Sequence, residues 1–395
     1  MTFGRMPIAN AFLTADEFAD EYFFELAPAF CESCGTFQIT EQPDAEQMFH
    51  GAYPFFTRSS RRMVAHFADY ANWLRDTYLP ADPFVVEIGS NDGAMLENFA
   101  RAGKRHLGVE PSSNTADVAR EHGVESLVAF FGAETAVRVR DTHGPADAII
   151  AANVMCHIPD LHGIAEGAAK LLTEDGVLVF EEPYLGAMVE KTSYDQIYDE
   201  HVFIFSLQAV SSLFAPHGLE LIEALPQDTH GGSMRYVLAR KGRRPVTPSV
   251  GNLLAREHEL GLHLASTYDR FRDNCETSRR ELRALLDRLH TEGKRVAGYA
   301  ATSKSTTVIN YCGLTPEHIA YISDTTPLKQ GKFSPGGHIP VVPHETFAAD
   351  YPEYAVLFAW NHRDEILANE QAFARAGNKW ISFVPEVTIE DGTNA

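Results

Sequence analysis

Cysteine is scarce in this 395-residue chain, which holds only Cys31, Cys34, Cys156, Cys275 and Cys312. Only the first two lie close together, so a disulfide framework is excluded and a metal or redox pair is what the spacing offers. A second CxxC is missing. Basic residues are also few, 33 Lys and Arg against 54 Asp and Glu, for a net charge of −21 with His neutral. No basic stripe offsets that balance, so a phosphate-rich nucleic acid is repelled and a small molecule is the expected partner. No apolar run approaches the roughly 20 residues of a membrane span, and no basic segment followed by an apolar one opens the chain. The expectation is a cytoplasmic protein without a membrane partner. Hydrophobic residues make up 45% of the chain, enough for a real core, and the length predicts two to three domains.

The stretch that organises the rest is VVEIGSNDGAMLENFARAGKRHLGVE, from Val85 to Glu110. A β-branched run ends in Glu87 and a turn carrying Gly89, Asn91, Asp92 and Gly93; a helical pattern follows, and a second apolar segment closes on Glu110. That is strand, tight turn, helix and strand. Glycines at such a turn let backbone approach a ligand, and an acid about 20 residues further on accepts hydrogen bonds from a ribose diol. A dinucleotide and S-adenosylmethionine (SAM) compete for this site. The turn is EIGSNDG rather than GxGxxG, with side chains where a pyrophosphate needs bare backbone. A ligand carrying an ammonium and a sulfonium fits Asn91 and Asp92 better.

Before this unit, Cys31 and Cys34 form a CESCG knuckle, the spacing by which one turn presents two thiolates to zinc. Two unpaired thiols in a turn satisfy the same spacing. Tyr53, Phe55 and Phe56 then precede hydroxyls and arginines leading into a helix at Met63 to Tyr78, a run that packs a core or forms a lid. From Phe84 to about Lys241 strands and helices alternate as a doubly wound parallel sheet requires. Asn153 and His157 in ANVMCHIPD, and Glu181 and Glu182 in VFEEPY, lie just past two strand ends, where such sheets bind ligands. The segment YDQIYDEHVF packs Tyr194, Tyr198, Asp199, Glu200 and His201 together. It reads either as a held histidine base or as the acidic start of a helix. DTHGGSMRY places His230, Gly231, Ser233 and Arg235 on a Gly-Gly hairpin able to clasp a polar ligand.

GRRPVTPS marks a boundary, and one long helix is expected from Leu253 to His290. A second strand, turn and helix follows in KRVAGYAATSKSTTVINYCG. Thr302, Ser303, Lys304 and Ser305 at its turn suit an anion such as a pyrophosphate, although GxxxxGK[ST] is absent. Asp324 and Lys329 come next, in ISDTTPLKQGKF. The predicted architecture is α/β: an N-terminal zinc-type or lid domain over 1–75, a Rossmann-like SAM-binding domain over 76–245, and a second Rossmann-like domain over 246–395.

In order, EIGSNDG, GVEPS, NVMCHIPDL, the IYDEH block, THGGSMR and ATSKSTTVINYCG resemble the three-domain sugar C-methyltransferases, over nearly the whole chain. The resemblance implies SAM as cofactor and a structural zinc in the N-terminal domain. It implies a TDP- or GDP-linked 4-keto-6-deoxy sugar as substrate, methylated at C3 by a monomer or homodimer. It also implies active-site roles for Tyr53, His157, Tyr198, Glu200 and His201, with His201 the base. Two departures stand out. The family's first CxxC precedes PIAN, and this chain starts just short of it. Asp199 occupies a place where the family often has His, which is expected to make the local field more negative and raise the pKa of His201. The rival readings are an O- or N-methyltransferase on a small metabolite and a catalytically silent SAM-binding assembly protein.

Overall fold

The computed structural model describes residues 1–43 and 56–392. The N-terminal segment forms two small antiparallel sheets. β1 (Arg5–Pro7) pairs with β2 (Phe23–Glu25), and β3 (Pro28–Phe30) pairs with β4 (Phe37–Ile39). Tyr53 lies outside the described residues.

The central sheet is built from β5 (Phe84–Ile88), β6 (Arg105–Glu110), β7 (Ser126–Val128), β8 (Ala146–Ala152) and β9 (Leu172–Pro183), with β11 (Leu219–Gln227) and β12 (Ser233–Arg240). The order is β11-β12-β9-β8-β5-β6-β7. The five strands from β9 to β7 are parallel, as alternation with helices demands, whereas β12 runs antiparallel between β9 and β11. All five residues of β5 are buried, as a central strand covered on both faces must be. The Arg61–Thr77 helix covers one face with Phe67, Tyr70, Ala71 and Leu74, spaced three, four and seven apart. Burying Leu74 alone contributes roughly 1.5–3 kcal/mol. Tyr70 also donates to the carbonyl of Val179 in β9 (3.0 Å).

Between these strands β10 (Phe203–Ile204) leaves the central sheet and pairs antiparallel with β4, becoming the third strand of that N-terminal sheet. The expected single helix after residue 250 is two, Pro248–Leu260 and Ala265–Thr291. Gly261 ends the first at φ +70, a left-handed conformation in which Gly carries no Cβ penalty. The C-terminal sheet comprises β13 (Val296–Tyr299), β14 (Ile322–Ser323), β15 (Val341–Val342), β16 (Tyr354–Leu357), β17 (Lys379–Ser382) and β18 (Thr388–Glu390), parallel except for β18. No helix among the described residues is long and apolar enough to cross a membrane.

Candidate active site

At the carboxyl end of β5 the chain turns through Gly89 (φ +63), Asn91 (φ +48) and Gly93 (φ +73). A Cβ on Gly89 would sit 2.5 Å from the Val154 side chain, so a neighbouring loop as well as the backbone angle demands glycine there. Glu110, at the end of β6, accepts from the N–H of Asn91 and of Ser112, both at 2.8 Å, and so ties the two strand ends together. Asp92 Oδ1 and Glu87 Oε2 are buried without a hydrogen-bond partner. Burial, then the negative charge of Asp92 and Glu110, holds the Glu87 carboxyl well above its usual range. A pocket with surplus buried carboxylate fits a cationic ligand, as the ammonium and sulfonium of SAM require. The Thr57–Ser59 turn closes over this site. Thr57 donates to Asn91 Oδ1 (3.1 Å), and the Arg58 N–H donates to Asp92 Oδ2 (2.8 Å).

Past β8, Asn153 takes φ +56 and donates its N–H to Glu181 O (2.9 Å). Glu182 Oε1 accepts from Val154 N (2.9 Å) and Met155 N (2.6 Å), capping the short turn that carries His157. Burial pushes Glu182 up to about 7 and His157 down to about 4. The His157 ring lies 5.5 Å from that of His201.

His201 is 5% exposed. Its Nδ1 is 2.7 Å from the Gln196 carbonyl and its Nε2 is 2.8 Å from the Tyr198 hydroxyl. A carbonyl only accepts, so Nδ1 carries the proton and Nε2 presents a lone pair to which Tyr198 donates. Burial, then the charges of His157 and Lys304, push the His201 pKa well below its usual value. This corrects the expectation for Asp199. Burial and the adjacent Glu200 raise the Asp199 pKa, so its carboxyl holds a proton more readily than an exposed one and adds less negative field, while the His201 pKa is lowered rather than raised.

The N-terminal segment reaches this cluster by contacts that sequence reasoning missed. Asn10 donates to Glu200 Oε1 (2.6 Å) and accepts from Ser303 Oγ (2.9 Å). The Ala9 N–H donates to Asp199 Oδ1 (2.9 Å). The hydroxyls at the start of the Ser303–Tyr311 helix are directed at protein: Thr302 caps Ser305 N (3.1 Å), Ser305 bonds Thr302 O (2.6 Å), Thr306 bonds Ala9 O (2.9 Å) and Thr307 bonds Ile197 O (2.8 Å). Asp324 accepts from the N–H groups of Ala301 and Thr326, and Lys329 donates to Ala301 O (2.8 Å).

The expected Gly-Gly hairpin joins β11 to β12. His230 sits at φ +52 with its Nε2 buried, and Gly231 packs so close to Trp360 that a Cβ would meet the indole at 2.2 Å. Ser233 and Arg235 point elsewhere. Ser233 bonds Thr229 O (3.1 Å), and Arg235 pairs with Glu181 between the rings of Tyr70 and Trp73. Trp360 Nε1 donates to the buried Asp195 (2.7 Å), a second contact absent from the sequence reading.

In the knuckle, the N–H groups of Cys34 and Ser33 face Cys31 and lower its pKa, with Gly35 at φ +73 completing the turn. Thiolate-directed amides of this kind fit a metal-binding turn, and among the described residues Cys31 and Cys34 supply two of the four thiolates such a site needs.

Family models match all three parts: a "Putative zinc binding domain" over residues 1–49, a "Methyltransferase domain" over 59–224 and a "C-methyltransferase C-terminal domain" over 228–385. The C-methyltransferase NovU of Streptomyces niveus is 35% identical over 98% of this chain and 93% of its own. The chain belongs to the three-domain SAM-dependent C-methyltransferases. A ubiquinone biosynthesis O-methyltransferase of Pectobacterium atrosepticum is 30% identical over 48% of this methyltransferase and 68% of that chain. The structure of magnesium protoporphyrin IX methyltransferase (ChlM) from Synechocystis PCC 6803 with bound SAM covers 50% of this chain and 89% of that one, at 14% identity and a TM-score of 0.35, a likeness too slight to carry an argument.

Proposed function

We propose that this methyltransferase acts in the cytoplasm on a TDP- or GDP-linked 4-keto-6-deoxy sugar, methylating C3 through an enolate on a route to branched deoxysugars. The observation that carries the reading is the tautomer of His201: the Gln196 carbonyl holds the proton on Nδ1 and leaves a lone pair on Nε2, beside the Tyr198 hydroxyl. A held neutral imidazole is what removal of a carbon-bound proton needs. Methylation of a hydroxyl or amine needs less activation. The keto group at C4 acidifies the neighbouring C3–H. His201 Nε2 takes that proton as the Tyr198 hydroxyl turns from it to the keto oxygen, with His157 as a second neutral donor. SAM, when bound, would supply the electrophilic methyl group. Alignment of that methyl with the carbon is worth about 7 kcal/mol or more. Glu87, Asp92 and Glu110 would hold the cofactor, and Cys31 and Cys34 would contribute to a structural zinc. The proposed partition into domains falls near residues 75 and 245.

The test is exchange without methyl transfer. With a 4-keto sugar nucleotide and S-adenosylhomocysteine in deuterium oxide, the C3 proton should exchange at a rate that His201→Asn cuts about 100-fold or more. Exchange at C5 alone would move the methyl to the other side of the ketone. No exchange at either carbon would overturn the enolate.

A further inference from the structure

Lys304 is the second residue of the Ser303–Tyr311 helix and is buried. It lies three residues before Thr307, whose hydroxyl bonds Ile197 O, so both side chains project from one side of the helix toward the 194–201 block. Among the described residues its ammonium makes no ion pair, and its hydrogen bond is a long one, 3.5 Å to the carbonyl of His230. Lys329 is the contrast. It bonds Ala301 O at 2.8 Å, and two carboxylates, Asp324 and Glu200, face its charge where only Asp195 faces that of Lys304.

The surroundings of Lys304 are short of partners in the same way. His230 Nε2, Gln196 Oε1 and Asp195 Oδ1 are all buried without a hydrogen bond. Gln196 connects them to the base, since its side-chain amide donates to His230 O while its backbone carbonyl holds His201 Nδ1. From the turn at 360–362, Trp360 closes the space against Gly231 and holds Asp195. A buried ammonium left with one long hydrogen bond, beside three unpartnered polar atoms, is a costly arrangement unless a ligand completes it.

We propose that Lys304 is a catalytic residue of the reaction proposed above, on which this inference rests: its ammonium donates to the keto oxygen as negative charge develops there. The C3–H bond breaks and its proton goes to His201 Nε2. The released pair forms a carbon–carbon double bond while the carbonyl π pair moves onto oxygen, beside Lys304. When the pair returns, the carbon–methyl bond forms, the sulfur–methyl bond breaks, and S-adenosylhomocysteine leaves with both sulfur electrons. This assigns Lys304 to the reacting end of the sugar rather than to the diphosphate suggested by the ATSKSTT pattern, whose hydroxyls are bound to protein.

The charged and titratable groups facing Lys304 are Asp195 and His201 from the 194–201 block, His230 from the hairpin turn and His362 from the turn after β16. Burial lowers the Lys304 pKa against the opposing pull of Asp195, so its acid form is lost at lower pH than that of an exposed lysine.

The test uses the exchange assay with full-length enzyme, a 4-keto sugar nucleotide and S-adenosylhomocysteine in deuterium oxide. Wild-type exchange establishes the enolate independently of Lys304. Lys304→Met should then slow exchange about 100-fold, with the Kd for the sugar nucleotide changed less than threefold. Exchange at the wild-type rate with a Kd raised tenfold or more would place the ammonium on the phosphates and overturn the proposal. Should the Met variant not fold, Lys304→Arg serves: it keeps the charge, so exchange should persist and the alkaline fall in rate should vanish. An unchanged alkaline fall in that variant would equally overturn it. If wild type does not exchange, the reading of the reaction fails, and this proposal with it.

Discussion

Glu87 shows how much a single buried atom can commit. Its Oε2 has no partner, and its carboxyl is held well above the usual range by burial and by Asp92 and Glu110. In the free protein it therefore holds its proton at higher pH than an exposed carboxyl does. A cationic ligand favours the ionised form, lowers the pKa again and expels that proton. SAM affinity should accordingly rise with pH through the range in which Glu87 is still protonated. Calorimetry in buffers of different ionisation enthalpy should find protons released on binding, and Glu87→Gln should abolish that release and weaken binding about tenfold. Release that persists in the Gln variant would assign it to another acid. At this scale the sequence was legible where the motif is contiguous: Glu87, the glycine turn and Glu110 stand on neighbouring strand ends as the spacing required. Asn10 was not legible, because its partners Glu200 and Ser303 lie 190 and 293 residues away and no local pattern marks it.

At the scale of elements, the turn joining β11 to β12 joins the two large sheets. Gly231 combines φ +85 with an indole ring where a Cβ would stand. Gly231→Ala should cost about 1–3 kcal/mol, from strain at positive φ and from displacing Trp360. Chemical denaturation would measure this, and a loss below 0.5 kcal/mol would mean that the hairpin and the 360–362 turn yield freely. The hairpin itself was readable from its Gly-Gly pair. Its opposite face was not, since Trp360 lies far along the chain from the hairpin and no local pattern pairs them. The same limit applies to the hydroxyls from Thr302 to Thr307. They look like an anion cradle while their partners are unknown, and become domain-joining contacts once Ala9, Asn10 and Ile197 are in place. The unbroken helix expected after residue 250 is interrupted by left-handed Gly261 and by Leu264, whose extended backbone precedes the second helix. The apolar period continues across the break, while the backbone angle at Gly261 ends the first helix.

For the whole molecule, the consequence of the proposed reading is that the site draws on distant parts of the chain. The N-terminal segment supplies Ala9 and Asn10, the central domain supplies His157 and the 194–201 block, and the C-terminal domain supplies Lys304 and Trp360. A methyltransferase sheet alone suits a nucleophile that needs little activation. In the proposed reading the added parts bury His201, which lowers its pKa, and bring the Lys304 ammonium to the same cluster. The central claim is therefore that this enclosure serves methyl transfer to carbon. The direct measurement is to supply a 4-keto sugar nucleotide and SAM labelled with carbon-13 in its methyl group, and to read the methyl's bonded neighbour in the product by NMR. The account predicts a labelled methyl coupled to a ring carbon next to the ketone, with the proton of that carbon gone. A labelled methyl found on oxygen or nitrogen would contradict it.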